Sequence, residues 1–417
     1  MPPRIAVVHD NGSVTPLQLA VAATGHSELV LLCDPSEATV AKDLPLLREI
    51  GTVVEFDAGS PLAGATTRRL ETLGIDGITT FSDRTMEATA ALAQHLGLAF
   101  HSPGTAAALV DKHLQRATLA AAGVPALPRY AAVSAPGDAA AAAAAVGAPA
   151  VVKPRQGAGS RNTVLARTAE DCVRTVEELL AAGESELVLE EYLVGDPAVA
   201  GPRWGDYVSV ESVVVDGRIV QVGITGKPPL LAPFRETGAF FPSNVDDRTA
   251  ARLTEATELA LRALGVTCGI AHTEFKLTAE GPRLIEVNGR LGGFIDDTVG
   301  RATGFPMIRT ALDCALGRVP ADLTAPVPRR IAFQRFFAPP LAAREIVSMT
   351  GVKEAKALPG VRRVEVVRRP GQSVDWREGT QAFAAIVHGE APDHESLAEL
   401  LDVLDKTLVV TYDRESA

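Results

Sequence analysis

A chain of 417 residues, 47% hydrophobic and 22% charged, has an ordinary globular composition and is too long for one core, so two or three lobes are expected. The formal charge of −11 comes without a Lys/Arg block, which leaves nucleic-acid binding no electrostatic footprint. No run of about eighteen apolar residues occurs, which excludes a membrane-spanning helix. The opening MPPRIAVVHD enters a strand-like run without the zones of a signal peptide, so the expected location is the cytoplasm.

The first hundred residues alternate between apolar runs and helix-compatible segments. Strands are expected at 4–9, 28–33, 53–56 and 77–81, with helices at 15–24 and 85–96, the second capped by Ser82 or Asp83. This alternation predicts an α/β lobe with a parallel sheet. HDNGSVTP follows the first strand where a dinucleotide fold wants GxGxxG, so a nicotinamide or flavin site is rejected. A helix is expected over 104–122 and another over the alanine run that starts at Asp138, its N-cap, and stops at Gly147. Strands follow at 148–153, 163–166 and 186–191, with a helix at 170–182. The insert 195–205 reads as a loop, and 207–215 with 218–225 as a strand pair turning at Asp216-Gly217. Residues 226–247 read as a long loop, of the kind often functional. A helix at 247–264 leads to a hairpin. Beyond about Leu316 a Pro- and Arg-rich linker precedes a further lobe, with strands at 330–337, 383–387 and 408–412 and a helix at 394–406. Cys33, Cys172, Cys268 and Cys314 lie far apart without a CxxC. They read as small buried hydrophobes, not zinc ligands.

The hairpin, HTEFKLTAEGPRLIEVNGR, carries the chemistry. A turn centred on Glu280 sets Glu274 opposite Glu286 and His272 opposite Asn288, all on one face because strand side chains alternate. Facing carboxylates repel. A divalent cation removes that penalty, and a hard-oxygen set with few protein ligands suits Mg²⁺. From the hairpin alone, a metal site and a solvated pair of acids are equally good readings. Lys153 ends a strand and precedes Gly157, Gly159 and Ser160, small residues that let backbone N–H groups approach an anion, although the spacing is not that of a Walker loop. Lys112 stands in a helix of its own.

The order of these pieces resembles the ATP-grasp superfamily over about residues 105–320: Lys112, then Lys153 with its loop, then EEYL at 190–193, then the hairpin. The resemblance implies an N-terminal Rossmann-like domain over 1–104, an ATP-grasp region over 105–320 with its small lobe at about 124–193, and a C-terminal α+β lobe over 321–417. It implies that Lys112 and Lys153 hold ATP phosphates under a loop that includes Gly157, Gly159 and Ser160. Glu190 would take the adenine amino group, with Glu191 and Leu193 offering backbone contacts, and Asp206 or Glu211 would meet the ribose. Glu274, Glu286 and Asn288 would bind Mg²⁺, two ions with Mn²⁺ as a substitute. Arg290 would stabilise the transferred phosphoryl group.

Within that superfamily AHTEFKL, the insert before DYVSVESVVVDG, and PFRETGAFFPS resemble the L-amino-acid ligases. The resemblance implies two amino-acid substrates, joined through an acyl phosphate with release of ADP. Glu236 would contact a substrate amino group, and Gly292 and Gly293 would leave space for substrate or serve a turn with positive φ. A related ligase has a histidine where this chain has Ala239, which leaves the amino-acid preference open. Three alternatives stand beside this reading: another carboxylate substrate, a carboxylase, and a non-catalytic ATP-binding regulator. A homodimer is expected on general grounds.

Overall fold

The computed structural model describes residues 2–414. Its N-terminal part is a four-stranded parallel sheet in the order Thr52–Glu55, Glu28–Cys33, Arg4–His9, Gly77–Thr80. The two central strands are apolar at nearly every position because helices cover both faces. Thr15 opens the helix Pro16–Ala23 with a reciprocal capping box to Gln18. Neither residue expected to cap Met86–Leu96 does so. The Ser82 hydroxyl donates to the Asn11 carbonyl, and Asp83 reaches across to Arg290.

The helix expected over 104–122 is two helices, Pro103–Val110 and Lys112–Ala121. Asp111 breaks it: its backbone is extended, and its carboxylate caps the Leu114 N–H while holding Arg155. This break starts the second helix at Lys112. The small lobe is an antiparallel sheet in the order Tyr130–Val133, Leu187–Glu191, Ala150–Pro154, Val164–Ala166. Its first strand was not expected from the sequence. The alanine helix is Ala139–Val146, but Asp138 caps the preceding turn, accepting from the N–H groups of Ser134 and Ala135.

An eight-stranded sheet dominates the rest, ordered Gly281–Asn288, Gly269–Thr278, Tyr207–Val215, Arg218–Gly226, Gly238–Phe241, Ile331–Phe337, Ala385–Ala391, Val361–Val366. The segment after the linker therefore extends the sheet of the preceding region instead of building a large sheet of its own. It adds only a two-stranded ribbon, Ile346–Thr350 with Val409–Tyr412. The joint is Gly238–Phe241, a strand inside the segment expected to be loop. Helices Ile295–Thr303 and Met307–Ala315, also unexpected, pack between the large sheet and the N-terminal sheet.

Alternation gives the large sheet two unlike faces. Val208, Val210, Ala271, Phe275, Leu277 and Val287 point into a core closed by the helix Asp247–Ala263. Tyr207, Ser209, Glu211, His272, Glu274 and Asn288 have the opposite parity. That polar face turns apolar at Val213 and Ile270, which pack into the core shared with the N-terminal sheet. The N-terminal lobe thus meets the large sheet on its polar face. No helix among the described residues is long and apolar enough to cross a membrane.

Candidate active site

The hairpin register places Glu274 opposite Glu286 and His272 opposite Asn288, as the sequence suggests, but by another route. The turn is the two-residue pair Ala279-Glu280, closed by Thr278 opposite Gly281. Left regular, that turn would set Glu274 opposite Ile285. A bulge after Glu274 skips Ile285 and brings Glu286 into place. The freed Ile285 carbonyl accepts a hydrogen bond from Arg116.

His272 lies between two acids. Its Nδ1 is 2.8 Å from Glu211 Oε2 and its Nε2 is 3.3 Å from Glu274 Oε1. Burial works against a charged ring, but the two carboxylates outweigh it and hold the pKa at about 9, so the ring is an imidazolium. Burial likewise pushes Glu274 up, while His272, Lys227 and the Tyr207 hydroxyl pull it down to about 2. Glu211 is fully buried, and its oxygens accept from His272, Ser209 and Thr225. Of the two ribose candidates, Glu211 thus already has its oxygens engaged. Asp206 remains at the rim, 2.5 Å from Lys276 Nζ, in space left by Gly195, where a Cβ would lie 1.7 Å from its carboxylate.

A second cluster forms where the small lobe meets the hairpin. Lys112 Nζ is 3.4 Å from Glu286 Oε1 and donates to the Gly157 carbonyl at 2.7 Å. Lys153 Nζ is 2.7 Å from Glu190 Oε2, and Arg116 Nε is 2.9 Å from Glu190 Oε1. Glu190 thus ties two cations together, whereas the family resemblance implied that it would take the adenine amino group. Burial raises the Glu190 pKa, but two cations outweigh burial and hold it at about 2. The Lys153 pKa is lowered too, which for a lysine disfavours the charged form: burial outweighs the pull of Glu190, and Arg116 adds to the lowering. The two charges fare differently because the anion is compensated twice and each cation only in part. The Glu191 carboxylate pairs with Arg283, and its N–H donates to the Arg129 carbonyl at 2.8 Å, so its backbone N–H is taken by the sheet. Leu193 lies just beyond the strand and is buried.

The third set comes from distant segments. Arg290 Nε donates to Asp83 Oδ1 at 3.0 Å and its Nη2 to Asn288 Oδ1 at 3.3 Å. Burial opposes its charge, and Asp83 outweighs burial. Glu236, expected to contact a substrate amino group, is held by buried Lys227 at 2.7 Å, which also sits 5.3 Å from the Tyr207 ring centroid. Neither Gly292 nor Gly293 has positive φ; their neighbour Phe294 does, at 63°. A Cβ on Gly292 would meet His272 Nδ1 at 2.4 Å, so this glycine makes room for the His272 ring. Gly293 has nothing within 4 Å of a built Cβ. Gly292→Ala is expected to destabilise the protein by about 1–3 kcal/mol through overpacking. Gly293→Ala is expected to leave the melting midpoint unchanged, and thermal melts of the two variants check the contrast.

Sequence reasoning missed Arg116, Lys227, Tyr207 and Asp83. Arg116 is one helical turn from Lys112, and Tyr207 has the parity of Ser209 and Glu211, so periodicity could have found both. Nothing local marks Asp83 or Lys227.

Residues 146–297 match the ATP-grasp domain family model, and the chain has the ATP-grasp fold. An L-amino acid ligase from Bacillus licheniformis superposes with a TM-score of 0.77, covering 99% of both chains at 19% identity. An alanine–anticapsin ligase of Bacillus subtilis (strain 168) is 29% identical over 268 residues, 61% of this chain and 56% of its own. Carnosine synthase 1 of Gallus gallus is 32% identical over 202 residues, 45% of this chain and 21% of its own. The chain therefore spans less than two thirds of the length of these two relatives.

Proposed function

We propose that the protein is an ATP-dependent carboxylate–amine ligase that joins an amino-acid carboxylate to an amine, most simply a second L-amino acid, through an acyl phosphate. The observation that carries this reading is the meeting of Glu274, Glu286 and Asn288 with Arg290, Lys112 and Lys153 on one sheet face. The named relatives, ligases and a synthase, support it.

The donor set fits Mg²⁺. Among the described residues no three His, Cys, Asp or Glu side chains are grouped to cage a metal. Two carboxylates and a carboxamide are hard oxygen ligands that leave coordination sites for water and phosphate. Bound there, such ions neutralise phosphate oxygens. Glu274 and Glu286 would be the principal ligands. Lys112 and Lys153 would face the phosphates, Lys112 exchanging Glu286 for them. Arg290, aimed by Asp83, would face the transferred phosphoryl group, and a fixed cation there needs no reorganisation when charge develops. Asp206 suits the ribose and Leu193 a backbone contact to the base. Glu236 would take a substrate ammonium by sharing its carboxylate with Lys227.

The test is product analysis. Incubation with Mg·ATP and pooled L-amino acids should yield ADP together with a mass equal to two amino acids less water. Formation of AMP would overturn the acyl-phosphate route. ADP formed only with non-amino-acid carboxylates would overturn the amino-acid assignment.

A further inference from the structure

The small-residue loop is held from the side opposite its own lobe. On its own lobe, Glu184 accepts from Asn162 Nδ2 at 2.6 Å and pairs with Arg161, and Lys112 from the preceding helix binds the Gly157 carbonyl. On the other side, the Thr380 N–H donates to the Gly159 carbonyl at 2.8 Å, and the Asn162 N–H to the Arg377 carbonyl at 3.4 Å. Both partners lie in Trp376–Ala382, which sequence reasoning left unassigned. Ser160 Oγ adds a bond of 3.0 Å to the Phe234 carbonyl, two residues before Glu236.

Gly379 shows how close this docking is. A Cβ there would lie 1.9 Å from the Gly159 carbonyl oxygen and 2.9 Å from the Arg161 nitrogen. These are backbone atoms, which cannot swing aside as a flexible side chain would. Its φ of 67° is also in the region that favours glycine. The loop itself sits in left-handed conformations at Gly159, Ser160 and Asn162, with φ of 65°, 58° and 50°. The two non-glycine residues are unfavourable there, so the position needs support from outside. Backbone hydrogen bonds from Trp376–Ala382 supply it.

We propose that Trp376–Ala382 is the latch that positions the phosphate loop, that Gly379 is the residue that admits the loop to it, and that Ser160 links the latched loop to the segment carrying Glu236. This rests on reading the loop as the cover of the nucleotide phosphates. The latch then couples two events: closing over ATP and ordering the amine-binding segment. Gly379 and Thr380 are positioning residues in this scheme, acting through the loop and not on substrate.

The experiment combines limited trypsin digestion without nucleotide, following cleavage between Arg161 and Asn162 by mass spectrometry, with calorimetric titration of Mg·ATP. Gly379→Ala is expected to speed that cleavage about tenfold or more, as the open form becomes populated, and to weaken Mg·ATP binding. Gly371→Ala is the control. It places Ala at a φ of 85° in the same part of the chain with nothing within 4 Å, and should match wild type in both measurements. Should Gly379→Ala not fold, Thr380→Pro, which removes the N–H that bonds the Gly159 carbonyl, is expected to raise cleavage in the same direction. Wild-type cleavage in Gly379→Ala, or in Thr380→Pro where that variant is used, overturns the latch, as does an equal increase in Gly371→Ala. A wild-type protein that binds no Mg·ATP overturns the nucleotide reading instead, and the cleavage contrast still decides the latch.

Discussion

Glu286→Gln should lower ADP formation by about 10³-fold, the order seen when a fixed electrostatic stabiliser is lost from a transition state. The substitution keeps size and shape but removes the charge that faces Glu274 across the hairpin. Among the described residues Glu286 is paired only with Lys112, at 3.4 Å, so the fold should survive. Stability from thermal melts should stay within about 0.5 kcal/mol of wild type, because no buried network is broken. Excess Mg²⁺ or Mn²⁺ should restore part of the activity, because the expected defect is in holding the ion. Near-normal turnover, or a loss that tracks unfolding, would remove Glu286 from the metal site.

Arg116→Ala should have the largest effect on stability, about 3–5 kcal/mol, the cost of removing one partner from a buried ion pair. Arg116 is 1% exposed and binds both Glu190 and the Ile285 carbonyl of the bulge. The loss should depend on pH. In the folded protein Glu190 is held at about 2, below its ordinary 4.5. A depressed carboxylate contributes stability that is complete above the unfolded value and is lost as pH falls through the folded one. Wild type should therefore lose this contribution between about pH 4.5 and 2. With Arg116 removed, burial regains influence over Glu190 and its folded value rises toward the unfolded one, so the acid-induced loss should be smaller and complete at a higher pH. Urea midpoints measured across this range check the shift, and parallel curves for the two proteins would show that Arg116 does not hold the carboxylate down.

Much of the site was legible before folding because it is built on strict periodicities. Glu274, Glu286, His272 and Asn288 share a face because strand side chains alternate, and a hairpin makes their partnership local. Lys153 is readable because a buried strand ends there and small residues follow. The parts that escaped involve partners far apart in the chain. Arg290 and Asp83 are 207 residues apart, and Arg116 and Glu190 are 74 apart. No local pattern announces such pairs, because each residue alone resembles a solvated charge.

The sequence by itself determined the lobes' composition, the N-terminal parallel sheet, the hairpin with its acids, and the ATP-grasp order of motifs, because propensity and periodicity act over a few residues. Tertiary structure alone decided the rest. It skipped Ile285 to set the acids face to face, and it buried Glu211 beneath His272. It filled the space beside Gly292 with that ring and gave Glu236 to Lys227. It also joined the last hundred residues to the large sheet through Gly238–Phe241. In each case the physical reason is the same. A buried charge must find its counter-charge, and a strand edge its neighbour, and what lies within reach is set by packing, not by distance along the chain.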